Sequence, residues 1–277
     1  MIIFDNKINL IKHLSLYNER TIGFVPTMGG LHEGHLKLII ESKKNCDITI
    51  CSIFINPTQF NSSEDFSTYP SCLDKDLEQL KATDCDVVYS PTSIDLYKDK
   101  ISSKQFDFGT LTNYMEGKFR PGHFNGVATV VEKLFNIINP TIAFFGEKDL
   151  QQLQIIKALV KNMESNIRIQ SISTVRESNG LAKSTRNKRL SKKGRDEAAE
   201  IYKCLLYCKK NKNQGISKLK RHVEQTLTNN KNIQLEYIEF VDLESMTPIK
   251  IWRKTNKNAI CIAAYHSKIR LIDNIIL

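Results

Sequence analysis

The sequence predicts an α/β protein: a parallel sheet with helices on both faces, followed by a smaller α+β part. Three observations carry this expectation. Short apolar runs at residues 22–25, 47–56, 86–89, 142–145 and 167–175 alternate with longer helical patterns, as strand–helix–strand units require. The run at 47–56, DITICSIFIN, is β-branched and almost wholly apolar, so it suits a central strand buried on both faces. Twice, near residues 22–40 and 142–163, such a run meets a glycine turn and passes into a helix. That repeated arrangement is Rossmann-like.

Taken in order, residues 7–20 read as a helix with Ile8, Ile11, Leu14 and Leu16 among its apolar positions. The strand at 22–25 ends at Pro26, and Thr27, Met28, Gly29 and Gly30 form a loop able to bring backbone close to a ligand. His32-Glu33-Gly34-His35 then opens an amphipathic helix with Leu36, Leu38, Ile39 and Ile40. A strand, a glycine turn and a helix start form an anion cradle, because unpaired N–H groups and the helix dipole both point at the ligand. The spacing is not that of a dinucleotide loop, and no Gly-Lys-Ser/Thr follows. Two histidines three residues apart share a helix face, so both imidazoles can donate to a leaving pyrophosphate. Gly34 is read as room for an adenine or ribose against the backbone. The bland alternative is a solvated helix start with two incidental histidines.

The strand at 47–56 stops at Pro57, leaving Gln59 at the end of the sheet where open α/β folds bind ligands. Its amide offers both a donor and an acceptor to a hydroxy acid. Residues 61–71 are polar and turn-rich, and 74–81 read as a helix with an acidic first turn. Within residues 90–126, the Gly- and Pro-containing stretch from Glu116 to Gly126 reads as a flexible lid. Val127, Val130, Val131, Leu134, Phe135 and Ile138 then give a broad apolar helix face. After the strand at 142–145 come Gly146, Glu147, Lys148 and Asp149 and a helix over 150–163. Lys148 is a point charge suited to phosphate, Asp149 suits a hydroxyl or a cation, and one of Gln151 and Gln152 should face the ligand.

Residues 176–190, RESNGLAKSTRNKRL, combine a glycine turn with hydroxyls and cations, a set that suits a triphosphate. Helices are expected at 195–210 and 216–227, and strands at 233–243, 259–264 and 269–273. The two expected domains are 1–175 and 176–277. Up to residue 175 there are 18 basic and 20 acidic side chains, and afterwards 22 and 10, within a net charge of +10. A basic second domain suits a polyanion, either nucleic acid or a nucleoside triphosphate, or reflects solvated lysines in a Lys- and Asn-rich chain. The N-terminus does not read as a secretory signal, and no apolar stretch reaches the roughly 20 residues that span a bilayer. Seven scattered cysteines without a Cys-x-x-Cys point to a reduced, cytoplasmic, metal-free chain with no membrane association.

PTMGGLHEGH resembles the His-x-Gly-His signature of the nucleotidyltransferase superfamily, and its Pro-Thr-Met-Gly resembles the pantoate–β-alanine ligase family in particular. SIFINPTQF, EGKFRPGHFNGV, FGEKDLQQL and the terminal RLIDN are similar to that family as well, so the resemblance covers nearly the whole chain. It implies ATP-dependent joining of (R)-pantoate to β-alanine through pantoyl adenylate, with AMP and pyrophosphate released. It further implies nucleotide contact along Met28-Gly29-Gly30-Leu31-His32-Glu33-Gly34-His35 and along Gly146-Glu147-Lys148-Asp149. Val175 and Lys183-Ser184-Thr185-Arg186 complete the implied ATP-binding set. Catalysis falls to His35, His32, Lys148, Ser184 and Arg186, pantoate to Gln59 and Gln152, and β-alanine to Gln59. Mg²⁺ bridging the phosphates, with Asp76 near it, a homodimer formed through the larger domain, and a lid role for the smaller one are also implied. Nucleic acid is not an expected partner, since the basic part lacks an aromatic recognition pattern. The sequence departs from the family at Ser71, commonly arginine, and at Lys183, usually apolar. Other adenylyl transfer within the superfamily, nucleic-acid binding, and a non-catalytic relic are the rival readings.

Overall fold

In the computed structural model, which describes residues 1–98, 100–252 and 257–277, the apolar runs of the first part pair into one parallel sheet. Its strands are β1 (Ile2–Phe4), β2 (Ile22–Thr27), β3 (Ile48–Ile53), β4 (Val87–Tyr89), β5 (Ile142–Gly146) and β6 (Arg168–Ile172), in the order β1-β4-β3-β2-β5-β6. Along the chain run α1 (Lys7–Leu14), α2 (Glu33–Asn45), α3 (Ser63–Ser67), α4 (Leu73–Lys81), α5 (Ser93–Tyr97), α6 (Met115–Phe119), α7 (His123–Ile138) and α8 (Leu150–Asn162). Successive strand residues point to opposite faces. Val25 of β2 accordingly packs with Leu38 and Ile39 of α2, while Phe24 meets Phe135 of α7 edge-on, ring centroids 6.2 Å apart. β3 is buried at all six positions, as its composition requires.

Two compact units result. The first comprises Met1–Phe108, Arg120–Glu147 and Ile155–Ser173, and holds the parallel sheet. The second comprises Gly109–Phe119, Lys148–Gln154 and Thr174–Leu277. Its antiparallel sheet, β7 (Ile233–Asp242), β8 (Asn258–His266) and β9 (Ile269–Ile276), is joined by α9 (Lys192–Ala198), α10 (Glu200–Lys210) and α11 (Ile216–Thr228). Leu205, Leu219, Val223, Ile238, Phe240 and Ile262 lie in one core there. The seven cysteines are free thiols.

Several elements differ from the sequence reading. β1 was not expected: three residues at a sheet edge are too short to show a period. The helix expected at 7–20 ends at Leu14 and tightens into a turn over Ser15–Tyr17, and its buried residues are Leu10 and Leu14, with Ile8 exposed. The segment 90–126 contains α5, a turn at Gly109–Thr112 and α6, none of which was expected. Glu116 is no part of a flexible lid. It is 6% exposed and its carboxylate accepts from Tyr237 Oη at 2.8 Å and from Arg270 at 2.6 and 2.8 Å. A charged, Gly-flanked stretch reads as surface unless its counter-ion, distant in sequence, is known.

Candidate active site

The sheet grows from β2 in two directions, through β3, β4 and β1 on one side and β5 and β6 on the other. The carboxyl ends of β2 and β5 therefore flank the point where strand order reverses, the usual ligand crevice of such sheets. The glycine loop after β2, and Gly146 at the end of β5 with Glu147 after it, both belong to this edge.

The glycine loop is held internally to a degree the sequence did not show. Thr27 Oγ1 donates to the Ser52 carbonyl at 2.7 Å and accepts from Gly29 N at 3.2 Å. Asp76, 2% exposed, accepts from Gly30 N and Leu31 N at 2.8 Å each, one on each carboxylate oxygen. Gly29 and Gly30 adopt φ of 79° and 63°, and a Cβ on Gly29 would stand 2.9 Å from Asp76 Oδ2. The expected cradle of unpaired loop N–H groups is thus corrected: those of residues 29, 30 and 31 already have acceptors. Asp76, read as a neighbour of the metal, has both oxygens engaged as the anchor of this loop.

His32 is the N-cap of α2. Its Nδ1 accepts from Gly34 N at 3.1 Å, while His35 Nδ1 accepts from His32 N at 3.3 Å, a reciprocal capping box made of two imidazoles. A ring nitrogen that accepts carries no proton, so each neutral ring has its hydrogen on Nε2. The two rings lie 4.0 Å apart, centroid to centroid. The helix start therefore offers imidazole N–H donors, while the main-chain N–H groups of residues 32 and 34 are taken up by the cap. Gly34 makes room for this cap: a Cβ there would sit 2.8 Å from His32 Cε1.

Gln59 closes the turn Pro57–Gln59 after β3. Its Nε2 lies 2.9 Å from Met28 Sδ and its Oε1 accepts from Asn56 Nδ2 at 3.1 Å. Its main-chain carbonyl meets His123 Nδ1 at 2.8 Å and Arg120 at 3.3 Å, and Arg120 Nη1 lies 3.0 Å from His123 Nε2. With Nδ1 donating, Nε2 accepts from the arginine, which fixes that ring too. Asn56, Arg120 and His123 were not singled out in the sequence, although all three stand within its quoted motifs.

In the second unit, Lys148 Nζ lies 3.3 Å from Asp149 Oδ1, and the Lys148 carbonyl accepts from Asn274 Nδ2 at 2.8 Å. Gln151 is buried: its Oε1 accepts from Glu116 N, and its Nε2 donates to the Leu111 and Tyr114 carbonyls. The Gln152 side chain, by contrast, makes no hydrogen bond to another described residue. Residues 175–183 form a tight hairpin, in which Lys183 N donates to the Val175 carbonyl at 2.9 Å and Gly180 turns at φ 94°. The Lys183 N–H is therefore occupied. Ser184 caps the turn Thr185–Arg189, accepting from Arg186 N at 3.3 Å, and Thr185 is buried. Arg176 forks onto Asp273 at 2.7 and 3.0 Å and stacks over Tyr202 at 3.5 Å. The terminal Asp273-Asn274 pair thus ties Lys148 to the foot of the hairpin, a role its position in the sequence did not reveal.

Among the described residues no group of three or more His, Cys, Asp or Glu is placed to hold a metal ion. A hydrated Mg²⁺ carried on phosphates requires no such group.

The comparisons agree in one direction. The family model described as pantoate-beta-alanine ligase matches residues 3–276. A pantothenate synthetase of Flavobacterium psychrophilum is 45% identical over 281 residues, covering 100% of both chains. The crystal structure of pantothenate synthetase from Thermus thermophilus superposes with a TM-score of 0.92 at 33% identity, covering 99% of each chain. That of the Francisella tularensis pantoate-beta-alanine ligase, complexed with beta-gamma ATP and beta-alanine, gives 0.83 at 38% identity, covering 99% of this chain and 97% of that one. With its sheet edge, histidine cap and hairpin accounted for residue by residue, the chain belongs to the pantoate–β-alanine ligase family.

Proposed function

We propose that this chain condenses (R)-pantoate with β-alanine at the expense of ATP, giving pantothenate, AMP and pyrophosphate through pantoyl adenylate. The observation that carries this reading is the pair of imidazoles at the start of α2, each with Nδ1 engaged as an acceptor and its hydrogen on Nε2. Such donors suit the charge that grows on pyrophosphate as a carboxylate attacks the α-phosphorus. The protein is asked for little covalent chemistry; positioning and neutralisation dominate.

His35 and His32, with Lys148, Ser184 and Arg186, are proposed to stabilise the phosphates. Met28, Gly29, Gly30, Leu31, Glu33 and Gly34 are proposed to lie along the nucleotide, as are Gly146, Glu147 and Asp149. Val175, Lys183 and Thr185 complete that set, Lys183 through its side chain or carbonyl because its N–H already donates to Val175. Gln59 and Gln152 hold pantoate, and Gln59 also meets β-alanine. Mg²⁺ accompanies the triphosphate and offsets its charge when bound. Residues 1–175 are proposed as the nucleotide- and pantoate-binding part of the chain and 176–277 as its smaller basic part. A cytoplasmic homodimer, without nucleic-acid or membrane partners, fits this chemistry.

Pyrophosphate and AMP release, measured with ATP and Mg²⁺ while pantoate and β-alanine are varied independently, tests the reading. Pyrophosphate is expected with pantoate alone, and sustained AMP only once β-alanine is added. His35→Ala should lose about 1 kcal/mol of stability with its half of the cap and nearly all adenylate formation. Normal pyrophosphate release by that variant would remove the histidine from its role.

A further inference from the structure

The orientation of the Gln59 amide is set through Asn56, which donates to it. Asn56 is 1% exposed, and its amide is held in one orientation from both ends, beginning with Nδ2, which lies 3.0 Å from the Gly126 carbonyl, a group that can only accept. Oδ1 therefore faces the opposite way, where the Tyr97 hydroxyl donates at 2.6 Å and the Thr58 hydroxyl at 3.0 Å. The second Nδ2 hydrogen goes to Gln59 Oε1 at 3.1 Å. With its carbonyl oxygen held as an acceptor on that side, Gln59 turns its NH₂ to the other, toward Met28 Sδ at 2.9 Å. Thioether sulfur is a weak acceptor and engages one of the two hydrogens. The other has no acceptor among the described residues.

We propose that Tyr97, acting through Asn56, is a positioning residue that makes Gln59 present N–H donors, and not its carbonyl, to the carboxylate and hydroxyl oxygens of the hydroxy-acid substrate. The inference rests on the reading of Gln59 as a pantoate ligand. A carboxylate only accepts, so a reversed Gln59 amide would place oxygen against oxygen and repel it. Tyr97 itself is 6% exposed, and burial raises its phenol above the ordinary range, which keeps it a donor across the working pH. Removing its hydroxyl leaves Asn56 Oδ1 with Thr58 alone and lowers the cost of turning the whole chain of amides.

The test is a double-mutant cycle of Tyr97→Phe and Gln59→Ala, read as KM for pantoate and for ATP beside thermal midpoints. Tyr97→Phe is expected to raise the pantoate KM roughly fivefold, the size of one lost hydrogen bond, with the ATP KM unchanged. In the Gln59→Ala background the same substitution should add nothing further. An unchanged pantoate KM in Tyr97→Phe, or an equal rise in both backgrounds, overturns the relay and leaves the Gln59 reading standing. A normal pantoate KM in Gln59→Ala removes that reading and the relay with it. Should Tyr97→Phe not fold, Thr58→Val, which strips the other hydroxyl from the same oxygen, is carried through the same cycle with the same expectations.

Discussion

Gly34 shows how much a single missing methyl group can hold in place. His32 can cap α2 only if its ring lies against the backbone of residue 34, where a Cβ would stand 2.8 and 2.9 Å from ring atoms. Gly34→Ala should push the imidazole off Gly34 N, at a cost of about 1 kcal/mol for the lost cap. On the proposed role of His32 its Nε2 would then leave the phosphates, and pyrophosphate formation should fall roughly tenfold or more. Paired measurements of turnover and thermal midpoint check this: a large loss of stability with normal turnover would mean that the cap serves only the fold. Asp76 works at the same scale, because a buried carboxylate accepting two main-chain N–H groups is a stronger clamp than any loop sequence.

At the level of elements, strands and helices are joined by polar contacts at their ends. The starts of β2 and β3 are pinned by Asp47, whose carboxylate accepts from Thr21 N at 2.8 Å and Thr21 Oγ1 at 2.7 Å. The hydrogen bond from the Thr21 side chain, then that from its main chain, holds the Asp47 carboxyl below its ordinary value of 3.8. A carboxyl depressed on folding contributes stability that is present above its unfolded value and lost as pH falls through the folded one. Asp47→Asn should therefore melt below the parent at neutral pH, and the gap should close as pH drops below 3.8. Thermal midpoints of both proteins across that range decide it; a gap that persisted in acid would assign the effect to packing. α7 meets the Pro57–Gln59 turn in a different way, without a side chain at Gly126, where a Cβ would lie 2.3 Å from the Thr58 carbonyl.

For the molecule as a whole, charge and assembly are separate questions. The excess of cations after residue 175 is partly paired within the second unit, where Arg270 bonds both Glu116 and Glu236 and Arg176 bonds Asp273. No helix among the described residues is long and apolar enough to cross a membrane. The proposed homodimer predicts twice the chain mass by light scattering at micromolar concentration, and a monomer at that concentration would contradict it.

The local features were legible in the sequence because each depends on neighbours within a few positions. The alternation of apolar runs with helical patterns determined the parallel sheet, and the glycine turns and His32-Glu33-Gly34-His35 marked the edge proposed to bind the ligand. β3 could be recognised as central because burial on both faces leaves an uninterrupted apolar run. Only the tertiary structure decided which polar groups remain to meet a ligand. Asp76 reaches loop N–H groups 45 and 46 residues away, Tyr97 orients an amide 41 residues away, and Asn274 holds the Lys148 carbonyl across 126. Hydrogen bonds saturate, so a donor or acceptor engaged by a distant partner is no longer available to a ligand, and nothing in the local sequence records that engagement.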